Sequence, residues 1–154
     1  MGIRDDAVEI RARGWRTLAG LHALIEAGLE KALQREVQLS VVEYTVMEAL
    51  SRQDGWHMRM QQLARAAALS SSAATRLVNR LEDRGLLARI LCLDDRRGVY
   101  TELTPAGRKL LDAARPVHEE ALDRALDEAR ATPELAPVAE ALESIALPEH
   151  QSRG

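Results

Sequence analysis

Apolar residues recur through residues 6–36 at Val8, Ile10, Trp15, Leu18, Leu21, Leu24, Ile25, Leu29 and Leu33, the spacing of one long amphipathic helix. Gly14, Gly20 and Gly28 interrupt it, each weakening an exposed helix by about 1 kcal/mol relative to alanine. Close packing against a partner helix would account for glycine there. Ser40 and Glu43 have capping-box spacing. They open a helix to about Ser51, with Val42, Val46, Met47 and Leu50 facing inward. Asp54-Gly55 marks a turn, His57-Met58-Arg59 a very short strand, and 60–67 a helix. The polar break Ser70-Ser71-Ser72 is followed by Ala74, Leu77, Val78 and Leu81, the stripe of a second short helix reaching about Arg84.

After Gly85 the period becomes strand-like, over 87–93 and 99–103, with Asp94-Asp95-Arg96-Arg97-Gly98 between the runs as a hairpin tip. Thr104 as cap and Pro105 in the first turn restart a helix. It reaches about Ala129, with Pro116 as a point of kinking. Thr132-Pro133 repeats the start signal before a last helix over 134–145, and the tail after Pro148 reads as disordered. No repeat of 20 to 50 residues is present. The order predicts a mainly α chain of the α+β winged-helix kind: a helix-turn-helix followed by a two-stranded ribbon.

Composition changes this picture only at the edges. The 154 residues suit one domain, 1–154. Two Trp, two Tyr and no Phe leave the core to Leu, Ala, Val and Ile, a diet suited to helices. A single cysteine excludes an internal disulfide. With no secretory leader and no apolar run long enough to span a bilayer, it predicts a cytoplasmic protein without membrane contact.

Charge carries more. The net is −3, yet residues 59–109 hold ten Arg or Lys against five Asp or Glu, a local +5. The flanks are acidic, −2 over 1–58 and −6 over 110–154. A basic centre between acidic arms fits one nucleic-acid face on a soluble body.

On the helix starting near Ser71, the apolar stripe leaves Ser72, Thr75, Arg76, Asn79 and Asp83 on the opposite face. Hydroxyls suit phosphates or base edges, Arg suits guanine and Asn suits adenine. Ser70, Ser71, Arg80 and, on the first ribbon strand, Arg89 complete the candidate DNA contacts. Small hydroxyl residues at a helix start also serve as plain caps. Arg96 and Arg97 at the hairpin tip fit a minor groove narrowed by A·T tracts, and Asp94 and Asp95 can pair with them at i+2 spacing.

Leu63-Ala64-Arg65, Thr75-Arg76, Leu81-Glu82-Asp83-Arg84-Gly85-Leu86, Asp95-Arg96-Arg97-Gly98 and Leu103-Thr104-Pro105-Ala106-Gly107 together resemble the winged-helix signature of MarR-type transcriptional regulators. The resemblance is strong over 60–107 and extends by element order over roughly 8–128. It implies a homodimer on double-stranded DNA, with 38–107 as the DNA-binding part. The helices over 6–36 and 108–146 would form the two-fold interface. It assigns the major groove to the helix carrying Thr75 and Arg76, and the minor groove to Arg97 braced by Asp95. Asp94 and Arg96 share that spacing, so both registers stay open. Peroxide-sensing members carry their reactive cysteine near the first helix, which here has none, so Cys92 reads as a packing residue.

Members of that family commonly release DNA when a small aromatic or phenolic molecule enters a cleft. Trp15, Arg16, His22, Tyr44 and Met47 are the residues that could line one, an aromatic wall with one cation, although Trp15 and Met47 also sit at ordinary core spacing. His22, His57, His118 and His150 lack metal-site spacing with Cys92, and no cofactor is implied. No nucleophile elbow, phosphate-binding glycine loop or Cys/His pair supports an enzyme. The reading is therefore a sequence-specific transcription factor, a ligand-responsive repressor on a palindromic operator. The alternative is an interaction module whose basic face meets an acidic protein.

Overall fold

A computed structural model describes residues 3–91 and 99–145. Its elements in order are α1 (Ile3–Val37), α2 (Val41–Ser51), a single 3-10 turn (Asp54–Trp56), β1 (His57–Arg59), α3 (Met60–Ala66), α4 (Ser71–Asp83), β2 (Leu87–Leu91), β3 (Val99–Leu103), α5 (Pro105–Arg130) and α6 (Ala136–Ile145). This is the expected winged-helix succession. Cys92, the hairpin tip from Asp94 to Gly98 with Asp95, Arg96 and Arg97, and the tail after Pro148 lie outside the described residues.

The chain divides into two compact units, one of residues 1–29 with 120–154 and one of 30–119, the division falling inside α1 and α5. The first is an all-helical packing of Leu21, Leu126, Ala129 and Ala139, with Leu24, Ile25, Leu122, Leu135, Val138 and Leu142 against them. Close packing does not require glycine in α1: a Cβ at Gly20 would lie 3.5 Å from Leu135 Cδ2 and one at Gly28 3.7 Å from Ala125 Cβ, both ordinary van der Waals contacts. Gly14 has nothing within 4 Å. Val8, Ile10, Trp15 and Leu18 belong to the α1 apolar pattern yet remain solvent-exposed. Trp15, at 68% exposure, is no core residue in this chain.

The second unit holds the winged helix. β1, β3 and β2 form an antiparallel sheet in that order, with Met58 opposite Thr101 and Arg89 opposite Thr101 from the other side. α2 packs on α3 and β3, and α4 packs on α3 and β2. Leu33, Leu39, Met47, Leu50, Leu63, Val78, Leu81, Leu87, Leu103 and Leu111 are fully buried. Burial of a leucine from water contributes roughly 2 kcal/mol, and these side chains fix the angles of the short elements.

Two expectations are corrected by local chemistry. Val42 does not face inward; Glu43 beside it is buried instead. Its carboxylate accepts from Ser40 N at 2.9 Å, closing the expected capping box, and lies 3.5 Å from Arg84. Thr132 does not cap the last helix, because its hydroxyl donates back to the Glu128 carbonyl at 3.0 Å and α6 starts at Ala136. α5 runs on through Pro116 as one helix. Thr104 does cap it, its hydroxyl accepting from Gly107 N at 3.0 Å.

Candidate nucleic-acid interface

α4 forms where it does because both ends are fixed by local hydrogen bonds. Ser70 is its N-cap: the hydroxyl accepts from Ala73 N at 3.2 Å and lies 3.3 Å from the Ser72 hydroxyl. At the other end Gly85, at φ +74°, takes the left-handed conformation that ends a helix at little cost in glycine. Gly85 N then donates to Glu82 O at 2.8 Å and Leu86 N to Leu81 O at 2.9 Å, the reciprocal pair of a Schellman motif.

Between these ends Ala74, Leu77, Val78 and Leu81 are buried. Ser71, Ser72, Thr75, Arg76, Asn79 and Arg80 are exposed on the other side. The Thr75 hydroxyl donates to Ser71 O at 2.9 Å, which leaves its oxygen able to accept from outside. Among the described residues, Arg76 and Arg80 make no ion pair with a carboxylate. Two unneutralised guanidiniums and several hydroxyls on one exposed helix face match the chemistry of a groove edged by phosphates.

Three other basic residues near this helix are engaged within the fold. Arg84 donates to Gln38 O at 2.9 Å and faces Glu43, tying the end of α4 to the α1–α2 connection. Arg59 donates to the Tyr100 hydroxyl at 3.1 Å. Arg89 Nη2 donates to Asn79 Oδ1, joining the first wing strand to the α4 face. The sequence had proposed Arg89 and Asn79 as separate contacts; the fold makes them a pair. Asp95, Arg96 and Arg97 fall outside the described residues, so the geometry bears on the helix half of the expected interface.

The second unit also contains a cavity of about 430 Å³, lined by Tyr44, Thr45 and Glu48 of α2, by Arg52 just past its end, and by Arg115, His118 and Glu119 of α5. The Tyr44 and His118 rings stack at 4.4 Å with an interplanar angle of 12°. Glu48 is shared between two cations, Arg52 at 3.1 Å and Arg115 at 3.2 Å. Arg115 also reaches Asp112 at 2.9 Å and the Ser51 hydroxyl at 3.0 Å. Burial holds the His118 imidazole below its ordinary value, against the opposing pull of Glu48 and Glu119. Burial, with Glu48 beside it, raises the Tyr44 phenol.

Of the residues expected to line an effector cleft, Tyr44 lines this cavity. Met47 is fully buried in the core, while Trp15 and His22 are exposed side chains of α1, as is Arg16. His22 lies 3.7 Å from Glu26. Sequence reading missed Glu48, Arg115 and His118. The Glu48–Arg52 spacing of four is visible in the sequence, whereas nothing in the spacing of His118 points to Tyr44. Among the described residues, no cluster of three His, Cys, Asp or Glu side chains could hold a metal ion. No helix among them is long and apolar enough to cross a membrane.

Comparison with known proteins agrees with this geometry. The sequence pattern of the MarR family matches residues 37–98, the stretch that carries α2 to the hairpin. The chain is 30% identical over 105 residues to the HTH-type transcriptional regulator PecS of Dickeya dadantii, covering 68% of this chain. The matched regions span 58% and 63% of the length of the curated relatives. AbsC, a MarR family transcriptional regulator from Streptomyces coelicolor, superimposes with a TM-score of 0.71 at 32% identity, covering 86% of this chain and 89% of AbsC. Sco3205, a MarR family regulator of the same organism solved in complex with DNA, superimposes with a TM-score of 0.71 at 26% identity, covering 95% of this chain and 88% of Sco3205.

Proposed function

The chain belongs to the MarR family of DNA-binding transcriptional regulators, and from that premise we propose that it is a ligand-responsive cytoplasmic repressor binding a palindromic operator as a homodimer. The observation that carries the reading is the exposed face of α4, where Ser71, Ser72, Thr75, Arg76, Asn79 and Arg80 stand opposite a fully buried apolar stripe. In this reading Thr75, Arg76 and Asn79 meet base edges while the serines and Arg80 meet phosphates. The wing tip adds Arg97 in the minor groove with Asp95 bracing it, and Arg96 beside them.

Dimerisation is supported by the exposed Val8, Ile10, Trp15 and Leu18 of α1, apolar side chains that a second copy would remove from water. Ligand response is supported by the cavity between α2 and α5, whose volume falls in the range of small-molecule pockets. Its aromatic pair suits a small aromatic or phenolic effector.

Binding isotherms across a salt series test the reading. A homodimer on a palindrome protects an inverted repeat with half-site centres roughly 10 base pairs apart. Its affinity falls steeply with salt as phosphate counterions are released. Substituting Thr75 or Arg76 changes the preferred sequence, whereas Arg97→Ala weakens most sites, most of all those with A·T flanks, and Arg96→Ala weakens them less. A footprint without a dyad, or one chain per duplex, sinks the proposal.

A further inference from the structure

Asn79 and Arg89 both lie on the exposed side of the winged helix, and Arg89 Nη2 donates to Asn79 Oδ1. A guanidinium carries five N–H donors and no acceptor. The side-chain amide therefore has one orientation consistent with the contact, with Oδ1 toward Arg89 and Nδ2 turned away. A free asparagine offers a base edge one donor and one acceptor, the pattern that matches adenine N6 and N7. With Oδ1 held against a positive charge, what Asn79 turns outward is its two N–H donors. The Arg89 guanidinium adds further donors at the same place.

We propose that Asn79 and Arg89 form one composite donor that selects an acceptor-only base edge, guanine through N7 and O6, where asparagine alone would select adenine. The inference rests on α4 reading bases as proposed above. The positive charge beside Oδ1 works against an adenine N6 amino group, which would have to donate to the same oxygen. Guanine presents two acceptors in the major groove and no donor there. Arg89 thus acts as a positioning residue for Asn79 and as a second donor to the same base pair. No other side chain on the exposed α4 face has its polar end fixed by the wing among the described hydrogen bonds.

The test uses the full chain and a panel of operator duplexes in which each base pair is replaced in turn, with Asn79→Ala identifying the base pair that Asn79 reads. The wild type is expected to prefer guanine there by about tenfold over adenine, one good bidentate contact. Arg89→Leu, which removes the donors and frees the amide, is expected to reverse that ratio while preferences assigned to Thr75 and Arg76 stay in place. Arg89→Lys keeps the charge and a donor and is expected to retain guanine. Adenine preferred by the wild type at that base pair overturns the inference, as does an unchanged ratio in Arg89→Leu. If Asn79→Ala alters no base preference while the palindrome is still selected, the inference fails and the proposed function stands. A wild type that prefers no palindrome overturns both.

Discussion

Replacing Gly107 by alanine would set a methyl group 2.2 Å from the Leu86 carbonyl oxygen and 2.8 Å from Leu103 Cδ1. Carbon and oxygen ordinarily approach no closer than about 3.3 Å, so the start of α5 and the Gly85–Leu86 segment must part by roughly 1 Å. The atom in the way is backbone and cannot swing aside. That carbonyl also accepts from Thr104 N at 3.1 Å, and the Thr104 hydroxyl lies 2.7 Å from Gly85 O and 3.0 Å from Leu86 O. A 1 Å separation takes these contacts out of range. Overpacking costs about 1–3 kcal/mol and two lost hydrogen bonds about 1 kcal/mol each. The helix preference of alanine returns about 1 kcal/mol, leaving a net loss of about 3 kcal/mol. For a chain of this size the melting temperature should fall by about 6–12 °C. Gly14→Ala is the matched control: nothing lies within 4 Å of its Cβ, so it should gain up to about 1 kcal/mol. Urea midpoints followed by circular dichroism, at one protein concentration because association shifts apparent stability, measure both. A Gly107→Ala chain as stable as the parent refutes the reasoning.

Three further outcomes follow from local geometry. Ser40→Ala removes the hydroxyl that accepts from Glu43 N at 3.1 Å and should cost about 1 kcal/mol, read as a lower urea midpoint with the slope unchanged. Ala68, exposed at the helix-turn-helix bend with φ +53°, sits where glycine is at ease, so Ala68→Gly should raise stability by up to about 1 kcal/mol; a loss there would contradict the strain argument. His118 has its folded value lowered by burial, so below the ordinary value of about 6.5 the unfolded chain takes up a proton that the folded site resists. Stability present at neutral pH is then lost as pH falls from about 6.5 toward the lowered value, and His118→Phe should flatten that part of the curve; equal slopes for parent and variant between pH 7.5 and 5.5 would exclude it.

What could be read from the sequence was what the chain decides within one or two turns. The α4 stripe, the Ser40 capping box, the Thr104 cap and the Gly85 terminus each rest on residues within seven positions of one another. Their spacing alone determines which face is polar, and so the helix half of the candidate interface was legible. Val42 and Glu43 show where this stops. Hydrophobicity favours valine as the inward residue, but a carboxylate can be buried when its oxygens are taken up, here by Ser40 N and by Arg84. The capping half of that arrangement is local; the Arg84 half comes from the end of a different helix and has no signature in spacing.

The same distinction separates the two parts of the cavity. Glu48 and Arg52 are helix neighbours, whereas the stack of Tyr44 on His118 and the Glu48–Arg115 pair join α2 to α5 across the intervening helix-turn-helix and wing. Residues so far apart come together only once the core has set the angle between their helices. Periodicity can mark each as lying on a helix face without saying what it meets. The exposed end of α1 poses the complementary problem: Val8, Ile10, Trp15 and Leu18 carry the pattern of a face to be buried, and the fold of one chain leaves them in water. An apolar stripe in a sequence therefore states that burial is favoured, not that the same chain supplies it. If a second copy supplies it, Trp15→Glu should shift the chain toward monomer in sedimentation velocity at micromolar concentration while its far-ultraviolet circular dichroism stays unchanged. The substitution places a charge on a surface that is solvated in the monomer and desolvated only on association. An unaltered dimer would show that this face is not where the copies meet.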